Sequence, residues 1–586
     1  MSKSGEPMWG ATALNGKEAR FRIWAPDHRS MRLALADRLI DMDAEPDGWF
    51  SIVCAAVAGD LYQFALPDET RVSDPASRAQ VHGVEGPSIL TVKRDFDQPW
   101  SGRPWEEAVI YEIHIGTFTQ EGTFLAAIPR LAELASCGIT AIEIMPVAQS
   151  PGSRGWGYDG VLQFAPDGAY GPPEALRMLI NAAHGLGLMV LLDVVYNHFG
   201  PVGNALPQYA GRFFDDRRTT PWGKAIAFDE PNVRRYFLEN ALYWLTEFGF
   251  DGLRLDAVQH LKDGQRPDFL SELATVVREA VPGRHVHLIV EDDQRRQELI
   301  RYRPPQAPVL YTASWNDDFH HAIHTIVTGE TGGYYRPYAD APWRKLAETL
   351  ANGFPVDRPA TEETAPAVPM ARVAFLQNHD QVGNRAKGER LTALVTDPVM
   401  EVLTALLLLS PQTPLLFMGD DYGETRPFFY FADYAGELAE AIRKGRLKEA
   451  ENFGWSRHGA AEALPDPIDI ATCQASKLDW SRAQTPTGHR HRSRLKELTA
   501  LRRKFVVPLA GRLEDFVIHP VVEGVMAVDW LFPDGTLQIR MNLSQATEPV
   551  PRPADTTIWS IGWRSDQGLL ASPGIVVAVG PPVGPG

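Results

Sequence analysis

Over the first ninety or so residues, apolar and polar positions alternate in FRIW (21–24), MRLAL (31–35) and LYQFAL (61–66), with Gly, Pro and Asp between the runs. A period of two puts every second side chain on one face, the pattern of strands with one buried side. It predicts a small N-terminal β-sandwich over residues 1–92. The segment SILTVKRDFDQPWSGRPW (88–105) leads into a different pattern, in which nearly continuous apolar runs are separated by stretches of helical spacing. Eight such runs occur: VIYEIHI (109–115), AIEIMPV (141–147), LMVLLDV (188–194), GLRLDA (252–257), HLIVE (287–291), VLYTA (309–313), VAFLQ (373–377) and PLLFMG (414–419). Strands buried on both faces read this way when helices cover a parallel sheet. Apolar residues three and four apart predict helices over 124–136, 174–184, 231–248, 267–280 and 398–409. Eight strands alternating with helices predict an α/β fold, a (β/α)₈ barrel spanning 93–490. A lobe overhanging the C-terminal face is expected at about 197–230. A second long connection, 422–480, holds a helix near 437–448. After a helix near 492–505, alternation returns in DFVIHP, VMAVDWLF, TLQIRMNL and GIVVAV, which predicts a C-terminal β-sandwich within 491–586.

Composition narrows the function. A chain of 586 residues exceeds one core and implies two to four domains. A formal charge of −17 argues against a broad nucleic-acid surface, which needs concentrated Lys and Arg. Cys54, Cys137 and Cys473 lie far apart in no metal-ligand spacing, so reduced thiols in a cytoplasmic protein are expected. The start MSKSGEPMWG lacks a basic segment followed by an apolar core, and no stretch approaches the roughly 18 apolar residues of a membrane span. The expectation is a soluble, unexported protein without a membrane partner.

Four runs pass from apolar into acidic or amide residues: VLLDVVYNH (190–198), GLRLDAVQH (252–260), HLIVED (287–292) and VAFLQNHD (373–380). Barrel enzymes carry their reacting groups at the C-terminal ends of strands, where Asp193, Asp256, Glu291 and Asp380 fall. Arg254 and Asp256 are two apart on one strand and point the same way, so a guanidinium is expected to keep Asp256 ionised, as suits a nucleophile. Three carboxylates, Asp256, Glu291 and Asp380, are the equipment of a glycoside hydrolase, in which one carboxylate meets an oxocarbenium-like centre and an acid protonates the leaving oxygen. Glu291 is expected to be protonated, raised by the charge of Asp256 and by burial. Retention of configuration follows, with the two carboxyls about 5–5.5 Å apart. A lone strand-end Asp reads as readily as a helix cap or an ion-pair member, whereas the ordered set in its strand context does not. WGYDG (156–160) reads equally as core aromatics or as a sugar platform. Adjacent His320 and His321 lack the helical spacing of metal ligands, and Asn197 alone cannot build a calcium cage, so no metal is expected.

In this order, the four stretches resemble the conserved regions of the α-amylase superfamily, glycoside hydrolase family thirteen. The resemblance implies Asp256 as nucleophile, Glu291 as acid/base and Asp380 as the carboxylate gripping the sugar at the cleavage point. It implies that His198 and His379 hold sugar hydroxyls, that Arg254 is the family's invariant arginine, and that Tyr158 stacks under the ring. Asp193, Asn197 and His260 fill supporting places, and no cofactor is implied. FRIWAPD (21–27) fits the sandwich that precedes the barrel in several members. FLQNHDQVGNRAKGERL (375–391), WNDDFHHAIHTIVTGETGGYY (315–335) and PDPIDIATCQASKLDW (465–480) resemble the trehalose-releasing members. These cleave the α-1,4 bond between a maltooligosyl chain and a terminal trehalose. On that resemblance Trp315, Asp318, Phe319 and Gln381 read the trehalose, and maltooligosyltrehalose synthase, which forms the trehalose end, is the implied functional partner. Three departures stand out: Gln259 where many amylases have lysine, MGDD (418–421) where relatives have MGEE, shortening a substrate-side acid, and EDDQRR (291–296) after the acid/base. Branching, debranching or general α-glucan hydrolase activity is the enzymatic alternative. A silent carbohydrate-binding member is the other, against which the intact Arg254, Asp256, Glu291 and Asp380 set argues.

Overall fold

The computed structural model describes residues 7–96, 99–303, 307–355, 368–453, 464–511, 513–520, 522–553 and 556–582. Residues 1–6, on which the absence of a leader partly rests, and 454–463 of the connection after the eighth strand lie outside the described residues, as do 97–98 of the entry into the barrel. Eight parallel strands close into a barrel: β1 Ile110–Ile113, β2 Ala141–Ile144, β3 Met189–Val194, β4 Gly252–Leu255, β5 His287–Val290, β6 Ala313–Trp315, β7 Arg372–Phe375 and β8 Thr413–Phe417. Each is buried along its whole length, as continuous apolar runs require. Gly252 answers to a close approach, since a Cβ there would lie 2.2 Å from the carbonyl oxygen of His287 on β5. The expected helices form as α1 Phe124–Ser136, α2 Pro173–Gly185, α3 Pro231–Tyr243, α4 Phe269–Ala280 and, further along, α7 Asp397–Leu409; α5 Asp317–Thr328 and α6 Pro342–Asn352 complete the set used below.

The sixth strand departs from its expected position. VLYTA (309–313) contributes only Ala313 to the barrel, and the strand continues through Ser314 to Trp315. The apolar run was misleading because Tyr311 is buried for another reason: its hydroxyl donates to the carbonyl of Leu270 on α4 at 2.9 Å. Leu310 likewise accepts from Arg278 of α4. The shift puts Trp315 at the strand end, in the barrel mouth.

Ahead of the barrel, one sheet (Thr12–Asn15, Glu18–Trp24, Trp49–Ala55, Asp43–Ala44) faces another (Arg38–Asp41, Arg32–Leu35, Leu61–Ala65, Arg71–Val72, Ser88–Ile89). Phe21 of the first meets Tyr62 of the second edge to face, with centroids 4.9 Å apart. The C-terminal sandwich expected from the alternating runs takes the form of one continuously hydrogen-bonded six-stranded antiparallel sheet. Its long strand Leu569–Gly580 pairs with Thr556–Arg564 on one edge and with Gly535–Asn542 and Glu548–Pro549 on the other. Barrel helices supply the second layer: α6 packs on Val525–Phe532 and α7 on Leu569–Gly580. Between β3 and α3, Phe214–Thr220 and Gly223–Ile226 form an antiparallel hairpin within 197–230. The helix expected near 437–448 runs over Gly436–Asn452.

Candidate active site

The sequence period that put Arg254 and Asp256 on the same side of β4 also sets Arg254 opposite Asp193 in the β3–β4 register. Arg254 has no exposed surface and holds three carboxylates: Asp193 at 2.7 Å, Asp256 at 2.8 Å and Glu291 at 2.9 Å. Its guanidinium lies over the Trp315 ring, 4.1 Å from the centroid. Asn197 donates to a carboxylate oxygen of Asp256 at 2.8 Å and to its main-chain carbonyl at 3.0 Å. His198 hydrogen-bonds the Asn197 side chain in turn. After β4 the chain turns through Ala257 in the left-handed region (φ 44°), which aims its N–H at the Glu291 carboxylate, 2.9 Å away. Side-chain exposure rises from 12% at Asp256 to 22% at Glu291 and 41% at Asp380, so the cleft opens towards Asp380.

Arg254 was expected to keep Asp256 ionised. Burial pushes this carboxyl up and Arg254, a guanidinium shared with Asp193 and Glu291, opposes the rise. Burial raises Glu291 too, and Asp256 adds to the rise. The two carboxyls share a hydrogen bond that favours the protonated form of Glu291 and the ionised form of Asp256. Both are held on the same arginine, at 2.8 and 2.9 Å. A pair coupled in this way loses its protons in two steps that belong to both groups.

His379 anchors the opposite wall. Its Nδ1 lies 2.5 Å from Glu112 of β1, its main-chain N–H donates to the same carboxylate at 3.0 Å, and its Nε2 meets the Tyr158 hydroxyl at 2.9 Å. Burial alone would lower this imidazole, but the charges of Glu112 and Asp380 raise it to about 9. As an imidazolium it donates from both nitrogens, leaving the Tyr158 hydroxyl free to donate to Asp193 at 2.6 Å. The Tyr158 ring stacks on His379 with centroids 5.2 Å apart. WGYDG therefore divides: Tyr158 lies in the cleft, whereas Trp156 is buried on Phe428 with its N–H on the carbonyl of Phe429. Glu112 escaped the sequence reading because it sits inside β1 among apolar residues. The glutamate of YEIHI was its only signal.

The four residues expected to read the leaving group separate. Trp315 and Gln381 line the site, and both keep a buried polar atom, Trp315 Nε1 and Gln381 Oε1, without a hydrogen-bond partner among the described residues. Phe319 is fully buried in the core on α5 and presents no surface to a ligand. Asp318 is taken up by protein: Arg295, at positive φ in the EDDQRR segment, holds it at 2.5 Å, and Tyr338 donates to the same oxygen. Its neighbour Asp317, overlooked in the sequence, accepts from Gln381 at 3.0 Å. Burial, with Glu291 and Asp380 close by, pushes Asp317 up to about 7. Helical phase decides between the adjacent aspartates, and Asp317 is the first residue of α5. His260 ends a turn after β4 beside the lobe hairpin. Neither aspartate of MGDD acts as a free acid: Asp420 accepts from Gln377 at 2.6 Å, and Asp421 accepts from Tyr111 at 2.6 Å and from Arg492 at 3.0 Å. His320 hydrogen-bonds the carbonyl of Leu376 at 2.6 Å. Among the described residues no cluster of three or more His, Cys, Asp or Glu is arranged to hold a metal ion.

Residues 97–208 match the family model described as alpha amylase, catalytic domain. A malto-oligosyltrehalose trehalohydrolase from Arthrobacter ramosus is 38% identical over 567 residues, covering 91% of this chain and 94% of that protein. One from Saccharolobus solfataricus is 39% identical over 476 residues, covering 78% and 82%. Among solved structures, a candidate alpha amylase from Salmonella typhimurium superposes with a TM-score of 0.93 at 44% identity, covering 98% of this chain and all of that one.

Proposed function

The chain belongs to the malto-oligosyltrehalose trehalohydrolase family, within the α-amylase type of glycoside hydrolase, and from that premise we propose that it cleaves the α-1,4 bond beside the terminal trehalose of maltooligosyl trehalose, releasing trehalose with retention of configuration. Glu291 delivers its proton to the glycosidic oxygen as Asp256 attacks the anomeric carbon from the other face, forming a glycosyl ester. Trehalose leaves as the neutral alcohol. With the charge of Asp256 neutralised in the ester, Glu291 loses one of the influences that raised it and takes a proton from water, whose oxygen displaces Asp256. Double displacement uses two carboxyls ~5–5.5 Å apart, on opposite faces of the sugar. Arg254 keeps the developing charges oriented. Tyr158, His198, His379 and Asp380 are assigned to the ring at the cleavage point, and Trp315, Asp317 and Gln381 to the leaving trehalose.

The observation that carries this reading is the pair of carboxylates, Asp256 and Glu291, held at 2.8 and 2.9 Å on one fully buried arginine at the barrel mouth. An enzyme that builds trehalose ends must supply the substrate, and maltooligosyltrehalose synthase is the proposed partner in function. A cytoplasmic setting is proposed, supported by three free cysteines, two of them buried. No helix among the described residues is long and apolar enough to cross a membrane.

The test is product analysis on maltotriosyl-trehalose beside maltopentaose, with Glu291→Gln as control. Trehalose is expected to appear much faster than any product of maltopentaose, and the variant is expected to lose ~10³-fold or more in turnover while folding normally. Comparable cleavage of both substrates would make the protein a general α-glucan hydrolase. Lengthened or branched products would make it a transferase, and binding without turnover a silent member.

A further inference from the structure

Away from the cleft, a cavity of about 340 Å³ lies where the chain passes from the N-terminal sandwich into the barrel. Its charged and aromatic walls are Arg78 of the sandwich, Arg94 of the connection, Glu174 and Arg177 of α2, Tyr243 at the end of α3, and Glu247 in the turn Trp244–Phe248 that continues α3. A second cavity, of about 190 Å³, shares Arg78, Tyr243 and Glu247 with it. Glu247 is 5% exposed, yet its carboxyl accepts no hydrogen bond among the described residues. Burial raises this carboxyl, and Arg78 is the strongest of the charges that oppose the rise. Arg78 lies against the Phe164 and Tyr243 rings, 5.9 and 5.4 Å from their centroids, and donates to the carbonyl of Ala11 at 3.2 Å. Among the described residues no carboxylate comes within 4.0 Å of Arg78, Arg94 or Arg177. Arg177 donates to the carbonyls of Arg94 and Glu247 and lies over the Phe248 ring, 4.2 Å from its centroid. The same cavity meets the start of α2 at Pro172 and Pro173, where no side chain caps the helix. A guanidinium and a buried carboxyl that influence each other without touching leave their hydrogen-bonding groups to whatever lies between them, because buried polar groups rarely go unpaired. Water would satisfy either group. It would not balance three guanidiniums and an uncapped helix start against two carboxylates, an excess that attracts an anion.

We propose that this cavity is a second ligand site, which binds a phosphorylated polyol of hexose size with its phosphate on Arg78, Arg94 and Arg177 and one of its hydroxyls on Glu247. Guanidinium forks match phosphate oxygens, and a carboxyl that burial makes reluctant to ionise suits a hydroxyl better than an ammonium. The volume is that of a small-metabolite pocket. A ligand held there joins the sandwich, the connection and two barrel helices, so it stabilises the folded chain by mass action. None of these side chains belongs to the cleft, and the inference stands apart from the reaction assigned to it.

The experiment titrates glucose 6-phosphate, inorganic phosphate and glucose into the whole wild-type chain by calorimetry, with and without excess trehalose, which competes for a sugar site in the cleft. Glucose 6-phosphate is expected to bind with a Kd below about 1 mM in both conditions and to raise the melting temperature. Inorganic phosphate is expected to bind about tenfold more weakly, and glucose not to bind once trehalose fills the cleft. Arg94→Ala, which alters an exposed side chain, and Arg78→Met are each expected to weaken both phosphate-bearing ligands about tenfold or more. Glu247→Leu is expected to bring glucose 6-phosphate down to the affinity of inorganic phosphate. Circular dichroism and thermal melting track the fold, and Arg94→Ala is read if the variants at Arg78 and Glu247 misfold. A wild type that binds no glucose 6-phosphate would overturn the proposal and leave the cavity to water. Binding that Arg94→Ala leaves unchanged, or that excess trehalose abolishes, would overturn it by placing the ligand elsewhere. Inorganic phosphate bound as tightly as glucose 6-phosphate would overturn the hydroxyl contact with Glu247.

Discussion

Glu112 shows how one side chain sets the state of its neighbours. Facing His379 from β1, with Asp380, Tyr158 and Arg254 around the ring, it makes the imidazole a double donor, and that fixes the direction of the Tyr158–Asp193 hydrogen bond. In Glu112→Gln the amide keeps the shape and loses the charge. His379 should then titrate well below about 9 in an NMR pH series, and kcat/KM should fall ~10-fold or more as Tyr158 loses its donor. A titration unchanged from wild type would remove Glu112 from this role. The linkage has a definite sign. A folded-state value of about 9 against 6.5 for an ordinary imidazole means that the stabilisation is complete below about 6.5 and is lost as pH rises through 9. It amounts to roughly 3 kcal/mol. Stability against urea should therefore decline across that window in wild type and much less in the variant. Asp256, Glu291, Asp380, His379 and Arg254 were legible because each lies in a strand-end motif. Glu112 and Asp317 were not, since a lone acid in an apolar strand and one of two adjacent aspartates acquire meaning only from what faces them.

At the scale of elements, the strand-to-loop turn after β4 does chemical work through its backbone. Ala257 adopts φ 44° so that its N–H reaches Glu291, and a β-branched side chain is poorly tolerated there. Ala257→Val should cost about 1–3 kcal/mol in urea unfolding and reduce turnover. Ala257→Gly, free of the steric conflict, should retain near-normal rates. If Val proved as stable and active as wild type, the left-handed turn would not be what positions Glu291. The helix ends were read from the sequence to within a few residues at α1, α2 and α7, where the apolar spacing runs the length of the helix. β6 was misplaced because hydrophobicity reports burial rather than pairing, and Tyr311 is buried against α4.

For the whole molecule, the flanking sheets are extensions of the barrel's own core. Trp9, ahead of the N-terminal sandwich, meets Trp49 within it, Phe213 of the lobe and Tyr236 of α3, at centroid distances of 4.8, 6.1 and 5.1 Å. At the other end Trp530 is fully buried and donates to the carbonyl of Leu350 on α6 at 3.2 Å. Arg502, also buried, caps the carbonyls of Leu408, Ser410 and Gln412 between α7 and β8. Trp530→Ala should cost ~3–5 kcal/mol and lower the melting temperature of barrel and sheet together. A separate, early transition of the C-terminal sheet with an intact barrel would show that the contact does not couple them.

The sequence by itself determined the barrel, seven of its eight strands and the order in which the reacting groups appear, because period and strand-end position are local properties that the chain carries into any environment. Tertiary structure alone decided how three carboxylates share one guanidinium, how burial and Arg254 oppose each other at Asp256, and which of Asp317 and Asp318 faces the cleft. Those depend on distances between residues dozens to hundreds of positions apart, where burial removes water and makes each neighbouring charge count. Trp222 belongs to the same class: as a letter between Pro and Gly it reads as a turn residue, and only the folded lobe brings it over His198.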